Sequence, residues 1–339
     1  MYKHIKIIII FIFFSLLSST IFAAGQKDIP EWVTEPRSIY PDIKYISQIA
    51  SSNTKEEAKT DALAAISQYF KTSVKSNLTT TLESYNNDGK VSEQINLFNE
   101  TQITSTVDLF GVEFTNPFYL KKDKRWYCLA FINREKAWIQ YEPTIEQNKN
   151  IFYSFYTKAT ESTNYLLSVQ NYKQAQDAAI DFLSSLEFAR ILSANNEQKY
   201  QKDRYTVSTI PALKKTALQK SLTFINVEND YDNLIFSAIT NVCNSIGLPI
   251  QKNKDTYEYV LTANIYLNQK QSDDVIVCYP NIEVSIIGKD GITVYSYSHT
   301  LKKTAAYNLN IVRKRCFTDL AEQIESDMTS NFTSLIGLD

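Results

Sequence analysis

The chain has 339 residues, 44% hydrophobic and 21% charged, which excludes a disordered polymer and is more than one ordinary core takes up. Lys plus Arg number 35 against 37 Asp plus Glu, a net charge of −2, so there is no broad basic field and no nucleic-acid partner is expected. The 7 glycines form neither GxGxxG nor GxxxxGK, so no phosphate-cradling loop and no cofactor are expected.

In chain order, Lys3, His4 and Lys6 precede an unbroken apolar block over 7–17 and a small-residue stretch over 18–25 that ends Phe22-Ala23-Ala24-Gly25. That is the layout of a secretory signal peptide over 1–24, cleaved after Ala23 or Ala24, and it predicts export. The block is shorter than the roughly 20 apolar residues of a spanning helix. Trp32 then sits between Pro30 and Pro36, which predicts an extended arm with an aromatic anchor. Tyr45, Ile46, Ile49 and Ala50 read as a strand. Thr54 with Glu57 three residues on is a capping box, followed by a helical stripe of Ala58, Ala62, Ala65, Ile66 and Tyr69. Residues 72–85 alternate loosely and predict a half-exposed strand closed by Asn86-Asn87-Asp88-Gly89; 91–109 carries no clear period. Residues 111–120 and 125–133 read as two strands joined by Lys121-Lys122-Asp123-Lys124, the second apolar on both faces and so central in its sheet.

The run Pro30-Glu31-Trp32, Tyr45, the ladder Ala58, Ala62, Ala65, the step from Val74 to Ser76 and the strand from Arg125 to Ala130 carry a resemblance. Residues 29–135 resemble the Lpp-twenty family of outer-membrane lipoproteins and are similar to the N-terminal domain of the flagellar assembly protein T. The resemblance implies a small α+β domain in an outer-membrane or flagellar-motor setting, with envelope or flagellar proteins as partners. The lipid-bearing Cys of many members has no counterpart here.

Residues 136–205 show helical spacing, in Ile151, Phe152, Phe155, Tyr156 and Ala159 and again from Tyr172 to Ala189. A break at Gln170 and Asn171 predicts a helical hairpin spacer, with a polar linker over 198–204. The last third, 206–339, predicts a strand over 222–227, a helix capped by Asp230 or Asp232 and stopped by Gly247 and Pro249, and strands over 257–267, 275–287 and 292–301. A long helix over 308–336 follows, striped by Val312, Cys316, Leu320, Ile324, Met328 and Phe332. Its element order is similar to the small α+β modules of envelope accessory lipoproteins. The fold class expected is therefore α+β: a leader (1–24), a first sheet-and-helix module (25–135), a helical hairpin (136–205) and a second module (206–339).

Residues arranged for chemistry are few. His299 on an alternating strand has no partner at a recognisable spacing, no compact ligand set suggests a metal, and there is no GxSxG elbow. Export permits one disulfide among Cys243, Cys278 and Cys316, while their apolar neighbourhoods, and that of Cys128, equally suit buried free thiols. Lys121, Lys122 and Lys124 suit contact with anionic lipid or cell-wall polymer, or a solvated edge that discourages strand pairing. Trp32, Phe152, Phe155 and Tyr156 with these lysines are the candidate interaction surface. The expectation is a non-enzymatic envelope protein, a structural or assembly factor; the alternative is an accessory regulator of peptidoglycan synthesis or of an outer-membrane secretion pore.

Overall fold

The computed structural model describes residues 29–85, 111–253, 256–272 and 274–336. The leader, the turn over 86–89 and the stretch 91–109 lie outside the described residues. Two compact units emerge: one takes the chain up to Glu142 with Glu187–Ala194, the other Pro143–Leu186 with the chain from Asn195 onward. Each holds one sheet with helices, and the class is α+β as expected.

In the first unit the segment around Trp32 is not an extended arm. Two single helical turns, α1 (Glu31–Thr34) and α2 (Pro36–Ile39), occupy it. Pro36 stands at the start of α2, where a missing N–H costs no helical bond, so the proline initiates a turn instead of extending the chain. Strand β1 (Tyr45–Ser52) pairs antiparallel with β4 (Arg125–Asn133) from Tyr45 opposite Asn133 to Ser52 opposite Trp126. The other side of β4 carries β2 (Val112–Phe114) and β3 (Phe118–Leu120), so β4 is central. The single strand expected over 111–120 is broken by a bulge in which residues 115–117 stand opposite 128–129. Thr115 bridges it: its N–H donates to the Leu129 carbonyl at 2.9 Å and its Oγ1 accepts the Leu129 N–H at 3.0 Å. Pro117, with no N–H to pair, falls in the same gap.

Helix α3 (Lys55–Tyr85) starts on the expected box: Thr54 Oγ1 accepts from the Glu57 N–H at 3.2 Å, and Glu57 Oε2 from the Thr54 N–H at 3.3 Å. It packs across β1 and β4 and continues through 72–85, where a strand was expected. Every fourth residue is buried, Ala58, Ala62, Ile66, Phe70, Val74 and Leu78, whereas Ala65 is half-buried and Tyr69 exposed. Phe70 stacks on Phe188 at 4.7 Å between centroids, and Tyr141 meets the same ring at 4.4 Å.

Helices α4 (Arg134–Glu161) and α5 (Tyr165–Leu192) each contribute to both units. The hairpin turns at 162–164, not at Gln170 and Asn171. Asn164 supplies the reason: its Oδ1 accepts the Leu167 N–H at 3.2 Å and so caps α5. Asn171 sits inside the helix with its side-chain amide on the Leu167 carbonyl at 2.8 Å. The polar run 198–204 is no linker either. α6 (Ala194–Glu197), a 3₁₀ turn (Gln198–Tyr200) and α7 (Gln201–Lys220) cover it. Tyr200 is buried and donates its hydroxyl to Glu146 at 2.7 Å, and Arg204 pairs with Glu197 at 2.6 Å.

The second sheet runs β5-β6-β7-β8, with β9 beside the start of β7. β5 (Thr223–Glu228) lies parallel to β6 (Tyr259–Ser272), and α8 (Leu234–Ser245) is their crossover. β6, β7 (Val275–Gly288) and β8 (Thr293–Thr300) follow as antiparallel neighbours, then β9 (Thr304–Ala306) and α9 (Leu309–Ile336). Asp230 caps α8, accepting the Ile235 and Phe236 N–H groups at 3.1 and 2.9 Å, and Gly247 ends it at φ +72°. All six expected stripe residues of α9, from Val312 to Phe332, are buried.

Candidate functional site

Strand periodicity divides the second sheet into two unlike faces. On β8, Tyr295, Tyr297 and His299 lie opposite Ile286, Val284 and Ile282 of β7, on the side that α9 covers. Ser296, Ser298 and Thr300 alternate to the other side and are exposed. His299, the only histidine among the described residues, has the partner that no spacing rule revealed: its Nδ1 lies 3.5 Å from Asp327 Oδ2. Tyr297 donates its hydroxyl to the same oxygen at 2.9 Å, and Gln323 Nε2 donates to Asp327 Oδ1 at 2.6 Å. Burial first, and then the Asp327 hydrogen bond, push the Tyr297 hydroxyl well above its ordinary pKa. Tyr295, packed edge-on against Phe332 at 5.2 Å, is pushed up to about 12, chiefly by burial.

A carboxylate that orients an imidazole is half of a nucleophile-activating arrangement. The other half is turned away, because the Ser296 and Ser298 hydroxyls belong to the opposite sheet face. Asp327 instead gathers Tyr297, His299 and Gln323 into a tie between β8 and α9. A second polar knot does similar work. The Tyr259 hydroxyl donates to Asn164 Oδ1 at 2.6 Å and accepts the Leu166 N–H at 2.8 Å, while Asn164 Nδ2 donates to Asp290 at 2.8 Å. Burial pushes Tyr259 up to about 12, and the Asn164 hydrogen bond holds Asp290 below its usual value.

The outward side of the same sheet is open. Along β7 the residues at even positions from Cys278 to Gly288 are buried, and those at odd positions are half-buried or exposed. The open side presents Tyr266 of β6, 46% exposed, and Tyr279 of β7, 38% exposed, with Ile287 at 37% near the β7–β8 turn. Tyr266 stands opposite Asn281 and Tyr279 opposite Asn268, so both rings rise from one surface among amide side chains.

No protein-family model matches the chain, and no curated protein matches it. Among solved structures, a minor lipoprotein from Acinetobacter baumannii is similar at 15% identity and a TM-score of 0.27, over 34% of this chain and 94% of that one. A secreted protein from Helicobacter pylori is similar at 14% identity and a TM-score of 0.35, over 84% of this chain and 96% of that one. Both scores lie below the range that marks a shared overall fold.

The residues expected from sequence to form an interaction surface divide between the units. Trp32, half-buried on α1, and the exposed Lys121, Lys122 and Lys124 belong to the first; Phe152, Phe155 and Tyr156 belong to the second. Phe152 is fully buried, which removes it from any surface: its ring stacks on Phe182 at 5.9 Å, and α5 supplies the cover that a hairpin considered alone lacked. Phe155 and Tyr156 are half-buried, Tyr156 packing against Tyr172 at 6.3 Å. Tyr266, Tyr279 and Asp327 escaped sequence reasoning. For the tyrosines the signal was present: a long alternating strand pair whose odd register is polar or aromatic marks a sheet with one open face. For Asp327 there was none, since its partners come from a different element.

Proposed function

We propose that the chain is an exported, non-enzymatic protein of the cell envelope, a structural or assembly factor that acts through protein contacts at the outer membrane or flagellar motor. Three things support this reading. The leader pattern of Lys3 to Gly25 directs export. Residues 29–135 carry the Lpp-twenty resemblance and its envelope setting. The polar chemistry around His299 is engaged in holding β8 to α9.

The observation that carries the proposal is the open face of the five-stranded sheet, where Tyr266 and Tyr279 stand exposed on a surface backed by a rigid, helix-covered core. Tyrosine offers a large contact area at low entropic cost, and it is enriched where protein surfaces meet. The test places a photo-crosslinking amino acid at Tyr279 or Tyr266 in living cells, with Lys252 as an exposed control, followed by fractionation and N-terminal sequencing. Expected are an envelope fraction, an N-terminus at Ala24 or Gly25, and adducts to basal-body or outer-membrane proteins from the tyrosine positions only. Adducts to a peptidoglycan synthase or secretion pore would replace the structural role with a regulatory one. An intact leader on cytosolic protein, or turnover of a small molecule by the purified chain, would overturn the proposal.

A further inference from the structure

Two of the four cysteines are brought together by two independent periodicities. The strand period of β7 puts Cys278 on the covered face with Pro280, Ile282 and Val284. The helical period of α9 puts Cys316 between Val312 and Leu320 on the stripe that packs against that face. Both side chains are fully buried, and with Val312 they form one apolar cluster bordered by Leu267, Ile276 and Ala306. β9 marks the same place: Thr304 stands opposite Cys278 in the β7–β9 ladder, and α9 packs against both strands. Both thiols are free in the structure, and within this cluster Cys278 lies near enough to act on the Cys316 thiol. The other cysteines are placed differently. Cys128 in the first unit points its Sγ at the Thr115 carbonyl at 3.6 Å, and Cys243 is buried on α8.

We propose that Cys278 and Cys316 are a disulfide pair, oxidised as the exported chain folds, and that the bond staples α9 to β7. The proposal rests on the reading of export, since an oxidising compartment is what lets such a bond form and persist. The oxidant is the disulfide of a thiol oxidase of the envelope. One cysteine thiolate attacks it to give a mixed disulfide, and the second thiolate displaces the oxidase sulfur. Two S–H bonds are lost and one S–S bond is formed; two electrons and two protons pass to the oxidase, whose disulfide becomes a dithiol. Burial and the neighbouring Cys278 push the folded Cys316 thiol up to about 12, which disfavours the reactive thiolate. The reaction therefore belongs to the interval before α9 docks, and the finished bond is shielded from reductants afterwards.

The full chain, quenched with N-ethylmaleimide at lysis, denatured, and relabelled after reduction, is analysed by peptide mass spectrometry. Expected is a linked peptide pair joining Cys278 to Cys316, with Cys128 and Cys243 labelled before reduction. The Cys128→Ala, Cys243→Ala double variant is expected to show no free thiol until it is reduced. In parallel, the reduced full chain is refolded in a glutathione redox buffer. Absence of the bond there overturns the pairing whatever the compartment. Free thiols at both positions in chain whose leader has been removed overturn oxidation in the envelope. A bond that forms in glutathione, beside a cytosolic chain with intact leader and free thiols, overturns the export reading and with it the cellular oxidation, while leaving the geometry of the pair standing.

Discussion

The two sheet-and-helix modules use one device in two grades of bulk. In α3 every fourth residue from Ala58 to Leu78 is buried, and in α9 every fourth residue from Val312 to Phe332. A step of four residues advances about 40° around a helix beyond one full turn, so five such steps carry a stripe roughly half-way round. One flat face cannot cover such a stripe. In α9 the stripe begins on β7 with Cys316 against Cys278 and ends over β8 with Phe332 against Tyr295, following the twist of a sheet wide enough to stay beneath it. In α3 it begins with the methyl groups of Ala58 and Ala62, which let the helix lie close to β1 and β4. It then leaves the strands and reaches Phe188 of α5 through Phe70. The period selects which residues are buried; side-chain volume and the width of the sheet decide what buries them.

Truncating the bulky member of each stripe tests this most severely. Phe70→Ala is expected to cost about 3–5 kcal/mol and Leu320→Ala about 2–5 kcal/mol, read from urea denaturation midpoints at constant slope. A cost below about 1 kcal/mol for Phe70→Ala would mean that the far half of α3 lies outside the core, and the parallel between the helices would fail.

Alkali should act on the second module through Tyr259 and Tyr295. Both hydroxyls are pushed from 10.0 up to about 12 in the folded chain, so the folded state holds its protons after the unfolded state has released them. Their contribution is complete below pH 10 and is lost as pH rises through about 12, with about 2–3 kcal/mol at stake for each as an upper bound. Tyr259→Phe is expected to flatten the fall in melting temperature between pH 10 and 12 while lowering stability at pH 7, because the Leu166 N–H and Asn164 lose their partner. An unchanged alkaline slope would remove Tyr259 from the linkage.

The next contrast lies in volume. Ala62→Leu adds the Cγ and both Cδ methyls of leucine to a close approach and is expected to destabilise by about 1–3 kcal/mol, whereas Met328→Leu, a volume-conserving change in α9, should cost less than about 1.5 kcal/mol. Equal effects would show that α3 lies no closer to its sheet than α9 does.

The same contrast explains what could be read in advance. The α9 stripe was legible because Leu, Ile, Met and Phe at every fourth place admit no other reading, and β4 because it is apolar on both faces. The second half of α3 was not legible. Val74 and Leu78 are separated by Lys75, Ser76 and Asn77 and followed by a run of threonines, which read locally as a strand, and the cover comes from a distant helix: α5 meets α3 through Phe188 at Phe70 and Glu187 at Thr81. The helices over 194–220 hid for a similar reason: their buried members, Tyr200, Val207 and Ile210, are spaced among charges, and Pro211 interrupts the pattern. At the candidate site, the one-sided alternation of β7 was visible, while the tie from Asp327 to His299 and Tyr297 joins elements that sequence spacing cannot relate.

The smallest effect separates the modules by how the helix that follows the first strand of each sheet begins. Thr54 and Glu57 satisfy two N–H groups reciprocally at an exposed helix start, so Thr54→Ala removes one short-range acceptor and should cost about 1 kcal/mol or less. Asp230 accepts two N–H groups from outside α8, across a backbone held left-handed at Asp232 and Asn233 with φ +54° and +56°. Non-glycine residues in that region are strained, and the carboxylate bonds are what offset it. Asp230→Ala is therefore expected to cost more than Thr54→Ala, toward about 2 kcal/mol, and Asn233→Gly in the Asp230→Ala background should recover part of the loss by relieving the left-handed strain. If the two cap substitutions cost the same and glycine recovers nothing, the loop before α8 holds its shape without Asp230, and the carboxylate is only an ordinary cap.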